Sequence, residues 1–264
     1  MIDDYIRECK IYRNKEIIGM FYTVDDEYAV SGSVEEQIDY THTLKLPITR
    51  KLLQSNKIIS GIDSDPVTER YKLLRTQILQ RMKENIQNTL AISSPGYGEG
   101  KTLTAINLSI TIAREVNHTV LLVDLNLRRP MIHKYFGFEP SFDLGDYLNT
   151  DIPLQKLLVN PGIERLVIIP GKRSLPNSSE LLSSDRMSAL VDELRTRYQT
   201  RLIIFDLPPL LETDDALAFS PWVNSFLLVV QEGKTKISSL EKAKKLLQKC
   251  HIVGTVINKT SEFS

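Results

Sequence analysis

Cysteine is scarce in this chain: there are two among 264 residues, Cys9 and Cys250, and neither stands near another cysteine or a histidine at a metal-ligand spacing. That leaves no basis for a disulfide framework or a thiolate zinc site, and it reads as two reduced thiols in the cytoplasm. Net charge is missing as well. Thirty-three lysines and arginines balance 33 aspartates and glutamates, so no overall field draws the chain to nucleic acid or to an acidic membrane, and no nucleic-acid partner is expected. No apolar run approaches the roughly 20 residues that span a bilayer. The opening MIDDYIRECKIYRNKE carries acids where an export signal is basic, and it has no apolar core. These absences predict a cytoplasmic protein, peripheral at the inner face of the membrane only if a partner holds it there.

What is present, 42% hydrophobic and 25% charged residues, is the composition of one large globular core with an appendage. Residues 1–62 are charged, tyrosine-bearing and without sustained periodicity, and read as a loosely ordered, partly disordered N-terminal arm. One short helix is expected after Pro47, in LPITRKLLQSNKII. Residues 63–264 read as the folded domain. Its first element is DSDPVTERYKLLRTQILQRM, with Asp65 as N-cap and Pro66 at the first helical position. Val67, Tyr71, Leu74, Ile78 and Met82 recur there as one apolar stripe.

Beyond this helix, TLAIS, TVLLVD, RLVIIP, RLIIFD, SFLLVV and HIVGTVIN are near-continuous apolar runs, as strands buried on both faces must be. Helix-like segments separate them: TLTAINLSITIAREV, SSELLSSDRMSALVDELRTRY and SSLEKAKKLLQKC. The alternation predicts an α/β fold, a mostly parallel sheet with helices on both faces. No internal repeat or low-complexity segment interrupts it.

In such a sheet, ligands collect at the carboxyl ends of the strands. The loop after TLAIS reads SPGYGEGKT, a P-loop whose first glycine is replaced by Pro95. Gly96, Gly98 and Gly100 would let successive N–H groups turn toward phosphate oxygens, and the following helix adds its positive end. Lys101 would reach the β- and γ-phosphates, and the Thr102 hydroxyl would ligate magnesium. TVLLVD ends in Asp124 and RLIIFD in Asp206, the second being the Walker B pattern; either carboxylate could hold magnesium or its waters.

GEGKT, LLVDLNLRRP and IIFDLPP, in this order, resemble the three Walker motifs of the bacterial tyrosine kinases of capsule and exopolysaccharide machinery, relatives of the MinD/ParA ATPases. TERYKLLRTQI, LPNSSELLSS and GTVIN match further, so the resemblance runs from Asp65 to Lys259. It implies a P-loop NTPase fold with ATP and Mg2+ as cofactors. Gly96, Gly98, Glu99, Gly100, Lys101, Thr102, Arg128 and Asn258 would bind the nucleotide, Asn258 on the adenine side. Thr102, Asp124 and Asp206 would serve the metal, and Lys101, Asp124 and Asp206 the chemistry. It also implies a homo-oligomer and a membrane-anchored polysaccharide co-polymerase as activating partner.

Four positions depart from that pattern. The second motif reads Asp124-Leu125-Asn126 where the family has DxD, and asparagine carries no charge for metal or proton transfer. The chain closes on VINKTSEFS with Tyr198 as its last tyrosine, inside an expected helix, so an acceptor is expected elsewhere: Tyr5, Tyr12, Tyr22, Tyr28 or Tyr40. The assembly motif ExxRxxR appears as Glu69, Lys72 and Arg75. Gly96 stands where partitioning ATPases have an extra lysine. Two functions follow as expectations: an ATP-dependent tyrosine autokinase regulating polysaccharide synthesis and export, or a nucleotide-switched ATPase scaffold of the same machinery without kinase activity. A DNA-associated ATPase, suggested by KAKKLLQK, is the weaker third, because a lysine face on such a helix is ordinarily a solvated one.

Overall fold

The computed structural model describes residues 7–13, 16–23, 44–46, 48–59, 65–84, 87–197 and 201–260. In chain order the strands are β1 (Arg7–Arg13), β2 (Glu16–Thr23), β3 (Leu44–Lys45), β4 (Thr89–Ser93), β5 (Thr119–Asp124), β6 (Val159–Asn160), β7 (Leu166–Ile169), β8 (Arg201–Asp206), β9 (Ser225–Gln231) and β10 (His251–Asn258). The helices are α1 (Arg50–Ser55), α2 (Pro66–Glu84), α3 (Lys101–Ala113), α4 (Ile132–Tyr135), α5 (Leu144–Asn149), α6 (Ser178–Leu182), α7 (Asp185–Arg197), α8 (Asp215–Phe219) and α9 (Ile237–Leu246).

Eight strands form the main sheet in the order β10-β9-β4-β8-β5-β7-β6-β3. All neighbours pair in parallel except β6 and β7. The six strands expected from the apolar runs are all there. Because side chains alternate across a strand, one run feeds two cores. Leu121, Val123, Ile203 and Phe205 point to the face covered by α5 to α9, while Val120, Leu122, Leu202 and Ile204 point to the face covered by α2 and α3. Helix α3 lies sandwiched there with every residue but Leu103 buried. Its hydroxyls turn inward on their own helix: Ser109 donates to the Ala105 carbonyl at 2.7 Å and Thr111 to that of Asn107 at 3.0 Å.

Three expectations shift. The segment from Ser178 to Tyr198, read as one helix, is broken between α6 and α7, where Ser184 starts a new helix as its cap, its hydroxyl accepting from the Met187 N–H at 3.2 Å. The stripe on α2 is also incomplete. Asp65 caps as expected, its Oδ1 accepting from the N–H groups of Val67 and Thr68 at 2.9 and 3.1 Å, and Leu74, Ile78 and Met82 are buried. Val67, one turn too early to reach the core, is 39% exposed.

The third concerns the arm, expected to be loosely ordered. β1 and β2 form an antiparallel ribbon, β3 pairs with β6 at the sheet edge, and the residues around α1 dock on α3. Ile58 and Ile59 are buried, the Ile59 N–H donates to Asn107 Oδ1, and Asn107 Nδ2 donates to the Lys57 carbonyl, both at 3.2 Å. This is the target of the helix expected after Pro47. Of the candidate acceptors, Tyr12 and Tyr22 fall in β1 and β2, and Tyr5, Tyr28 and Tyr40 lie outside the described residues, as does Tyr198 of the expected helix.

The α2 stripe can be tested directly. Ile78→Ala empties a fully buried position and should cost about 3 kcal/mol in urea denaturation, whereas Val67→Ala should stay within about 0.5 kcal/mol.

Candidate functional site

Strand β4 delivers the chain to the site and is anchored there by Ser93, whose hydroxyl donates to the Pro208 carbonyl at 2.7 Å. The replaced first glycine has a structural answer. Pro95 is buried and contributes a carbonyl, which accepts from the Leu211 N–H at 3.2 Å, while Ser94 accepts from Leu210 at 2.8 Å. The loop after β8 thus binds the early P-loop through acceptors, and a proline supplies those as well as a glycine does.

The glycines differ in what they permit. Gly98 and Gly100 adopt φ of +76° and +97°, the left-handed region that residues with a Cβ avoid. A Cβ on Gly100 would stand 1.9 Å from Asn258 Nδ2. Gly96 is not in that region, and its N–H donates to Glu99 Oε2 at 2.9 Å. Glu99 is therefore a buried internal brace, bonded also to the Thr235 hydroxyl. Gly100 is the N-cap of α3 with no side chain capping the helix, so the first N–H groups of a 13-residue buried helix face the cleft without an intrahelical partner. Such an end binds anions.

Beneath the loop the charges converge. Lys101 Nζ lies 3.2 Å from Asp206 Oδ1, and the Thr102 hydroxyl donates to Asp206 Oδ2 at 2.6 Å. Asp124 is the register neighbour of Asp206 across β5 and β8, and both are fully buried. Burial, and then the charge of Asp206, push the Asp124 carboxyl up to about 7. Backbone bonds from Ile132 and Met131 and the charge of Lys101 pull the other way. Both oxygens of Asp124 are engaged: Oδ2 accepts from the N–H groups of Met131 and Ile132 at 3.0 Å, and Oδ1 from Asn126 at 3.2 Å.

A cavity of about 1180 Å3 opens over this floor, its wall including Gly98, Gly100, Lys101, Thr102, Asn126 and Asn258. Asp124 and Asp206 lie behind Lys101 and Thr102 and do not line it; Gly96 and Glu99 hold the loop from outside. Arg128, expected on the nucleotide, points elsewhere. Its guanidinium grips the buried Asp215 through contacts of 3.1 and 3.2 Å, Asp215 also accepts from Ser178, and Arg128 lines a separate hollow with Leu210 and Leu211. Its neighbour Arg129 lines the cleft instead, with its guanidinium 4.8 Å from the centre of the Tyr97 ring. LRRP offered two arginines, and nothing in the local sequence says which of them the turn aims inward. Asn258, expected on the adenine side, lines the cleft and donates to the Glu99 carbonyl at 2.9 Å.

A parallel sheet carrying a glycine-hinged loop, a lysine and threonine at an uncapped helix end, and an aspartate closing the neighbouring strand defines a P-loop NTPase. Residues 87–262 match the AAA domain family model. The tyrosine-protein kinase YwqD of Bacillus subtilis is 31% identical over 208 residues, covering 78% of this chain and 86% of that protein. The tyrosine-protein kinase ptk of Acinetobacter johnsonii is 28% identical over 80% of this chain, which spans only 30% of that longer protein. The kinase domain of the Escherichia coli tyrosine kinase ETK superposes with a TM-score of 0.70 at 27% identity, covering 84% of this chain and 91% of that domain. The chain belongs to the AAA domain family and, within it, to the bacterial tyrosine kinases.

The glycines give a direct test. Gly100→Ala should lower the unfolding free energy by at least about 1 kcal/mol, the usual penalty of a left-handed residue, and Gly96→Ala by less than about 0.5 kcal/mol, since its Cβ would meet nothing nearer than 3.8 Å. Equal losses in the two denaturation curves would contradict this division of labour.

Proposed function

We propose that this chain is an ATP- and magnesium-dependent protein-tyrosine kinase serving capsule or exopolysaccharide synthesis and export. The observation that carries the proposal is the cluster of Lys101, Thr102 and Asp206 at an uncapped helix end, in a chain whose relatives bear the name tyrosine-protein kinase. Triphosphate would lie along the P-loop with Lys101 on its β- and γ-phosphates and the adenine toward Asn258. The oxygen donors fit magnesium. It binds through one or two carboxylates plus substrate phosphates, so Thr102 with Asp206 behind it suffices, although the described residues hold no cluster of three or more candidate metal ligands. Thr102 and Asp206 would hold the ion, which when bound would supply neutralisation of the charge developing on the phosphates.

Positioning and charge neutralisation supply most of the rate in such a reaction. The tyrosyl oxygen attacks the γ-phosphorus in line, the bond to the ADP oxygen breaks, and the phenolic proton reaches Asp124, which lies behind the cavity wall, by way of one water; its carboxyl, raised to about 7, suits the acceptor's role. The apolar wall of the cavity, with Val67, Tyr71, Leu74 and Tyr135, offers a surface for an aromatic acceptor. On α2, exposed Glu69 is paired with Lys72 at 2.8 Å and Leu73 is also exposed, a face that supports homo-oligomer assembly. Arg75 is instead turned onto Glu115 at 3.0 Å. No helix among the described residues is long and apolar enough to cross a membrane, and the proposal includes a membrane-anchored polysaccharide co-polymerase as activator, on the family resemblance.

A second reading, the nucleotide-switched scaffold, is favoured by one observation: both oxygens of Asp124 are committed to backbone bonds, and its partner in the cavity wall, Asn126, is uncharged. Incubation with radiolabelled ATP and magnesium separates the two. The kinase reading predicts phosphotyrosine on the chain or a partner, lost by a factor of about 100 or more in Lys101→Met; the scaffold reading predicts nucleotide binding with no phosphotyrosine in either protein.

The Asp124 assignment carries a pH dependence. A base must be deprotonated, so with its carboxyl raised to about 7 the transfer rate should climb between pH 6 and 8 and level off above. A rate that is flat across that interval would remove Asp124 from the role of base.

A further inference from the structure

The sequence contains a second Gly-Lys-Thr, Gly233-Lys234-Thr235, between β9 and α9, which no role above absorbs. It faces the first. Lys234 Nζ donates to the Tyr97 carbonyl at 3.0 Å. At the end of the adjacent strand, Lys259 Nζ donates to the Gly98 carbonyl at 2.6 Å, and Asn258 Nδ2 to the Glu99 carbonyl at 2.9 Å. Three consecutive P-loop carbonyls are thus each held by a side-chain donor from the ends of β9 and β10, Asn258 and Lys259 at the rim of the cleft and Lys234 outside it.

The second loop is itself fixed for this task. The Thr235 hydroxyl accepts from the Gln231 N–H at 2.9 Å and bonds to Glu99, and the Glu232 N–H donates to the Asn258 carbonyl at 3.1 Å. Lys259 adopts φ of +56°, a left-handed conformation uncommon for a residue with a side chain. Such strain persists only where surrounding contacts over-determine it. Here it directs the ammonium onto Gly98.

We propose that Lys234 and Lys259 are positioning residues that hold the P-loop carbonyls outward, so that the loop's N–H groups stay turned toward the phosphate site. The physical ground is the alternation of the peptide unit: a carbonyl held on one side of a curved loop points its neighbouring N–H groups to the other, forming a concave anion cradle. Two ammonium groups on these carbonyls also offset the carbonyl dipoles, which would otherwise oppose an approaching phosphate. This inference rests on the reading of the site as an ATP site and adds residues to it.

Lys234→Met and Lys259→Gly test it, by titrating the full chain with ATP and magnesium in a calorimeter and recording melting temperatures without nucleotide. Glycine at 259 removes the ammonium while accepting the backbone angle. Each variant should bind ATP about tenfold more weakly, the usual weight of one charge-assisted hydrogen bond, with a melting temperature no lower than that of the parent chain. Lys234→Arg, which keeps charge and reach, should recover binding to within about threefold. Lys249→Met, which removes the same charge from an exposed lysine beyond the far end of α9, should leave affinity unchanged. Affinity unaltered in both variants, a loss equalled by Lys249→Met, or a loss matched by a fall in melting temperature overturns the inference. A parent chain that binds no ATP removes the functional reading, and this one with it.

Discussion

One buried charge balance governs the site: the ammonium of Lys101 set among the carboxyls of Asp206 and Asp124. Burying a charge without a partner is costly, and removing one member of a buried pair typically costs about 3–5 kcal/mol. Here two buried acids share one ammonium beneath the P-loop. Burial first, and then the charge of Asp206, push Asp124 up to about 7, and its oxygens accept from three backbone N–H groups. A polyanion with a cation entering above this floor would meet a lysine held ready, a threonine hydroxyl beside it and an acid that can take up a proton near neutrality.

The fold supplies this arrangement because parallel strands finish on the same edge. β4, β5 and β8 lie side by side and end respectively at the P-loop, Asp124 and Asp206, while β9 and β10, on the other flank of β4, end at the lysines and the asparagine that hold the loop. Floor and bracket therefore come from strands whose burial has nothing to do with chemistry. Their apolar alternation builds two cores and leaves only their last residues free to differ.

Much of this was legible beforehand. The six buried strands, the cap at Asp65, the position of Asp124 and Asp206 at strand ends and that of Lys101 and Thr102 at the start of the helix after the P-loop follow from apolar periodicity and from glycine and aspartate placement, which are local properties. Side-chain direction at turns was not legible. Arg128 and Arg129 are adjacent and chemically alike, and only the packed turn, with Asp215 waiting on one side, decides which of them faces the cleft. The split between α6 and α7 and the docking of Ile58 and Ile59 likewise depend on distant partners, as does the pairing of the two Gly-Lys-Thr loops across 137 positions of sequence. The resemblance to bacterial tyrosine kinases pointed to Arg128 on the nucleotide, whereas the packed turn sets Arg128 on Asp215 and leaves Arg129 lining the cleft.

The most direct test of the account is a crystal structure with a non-hydrolysable ATP analogue and magnesium. It should show Lys101 Nζ released from Asp206 onto the β- and γ-phosphates, the Thr102 hydroxyl on the metal, and the carbonyls of Tyr97, Gly98 and Glu99 still held by Lys234, Lys259 and Asn258. Triphosphate bound away from the P-loop, or Lys101 still paired with Asp206 beneath a bound nucleotide, would contradict it.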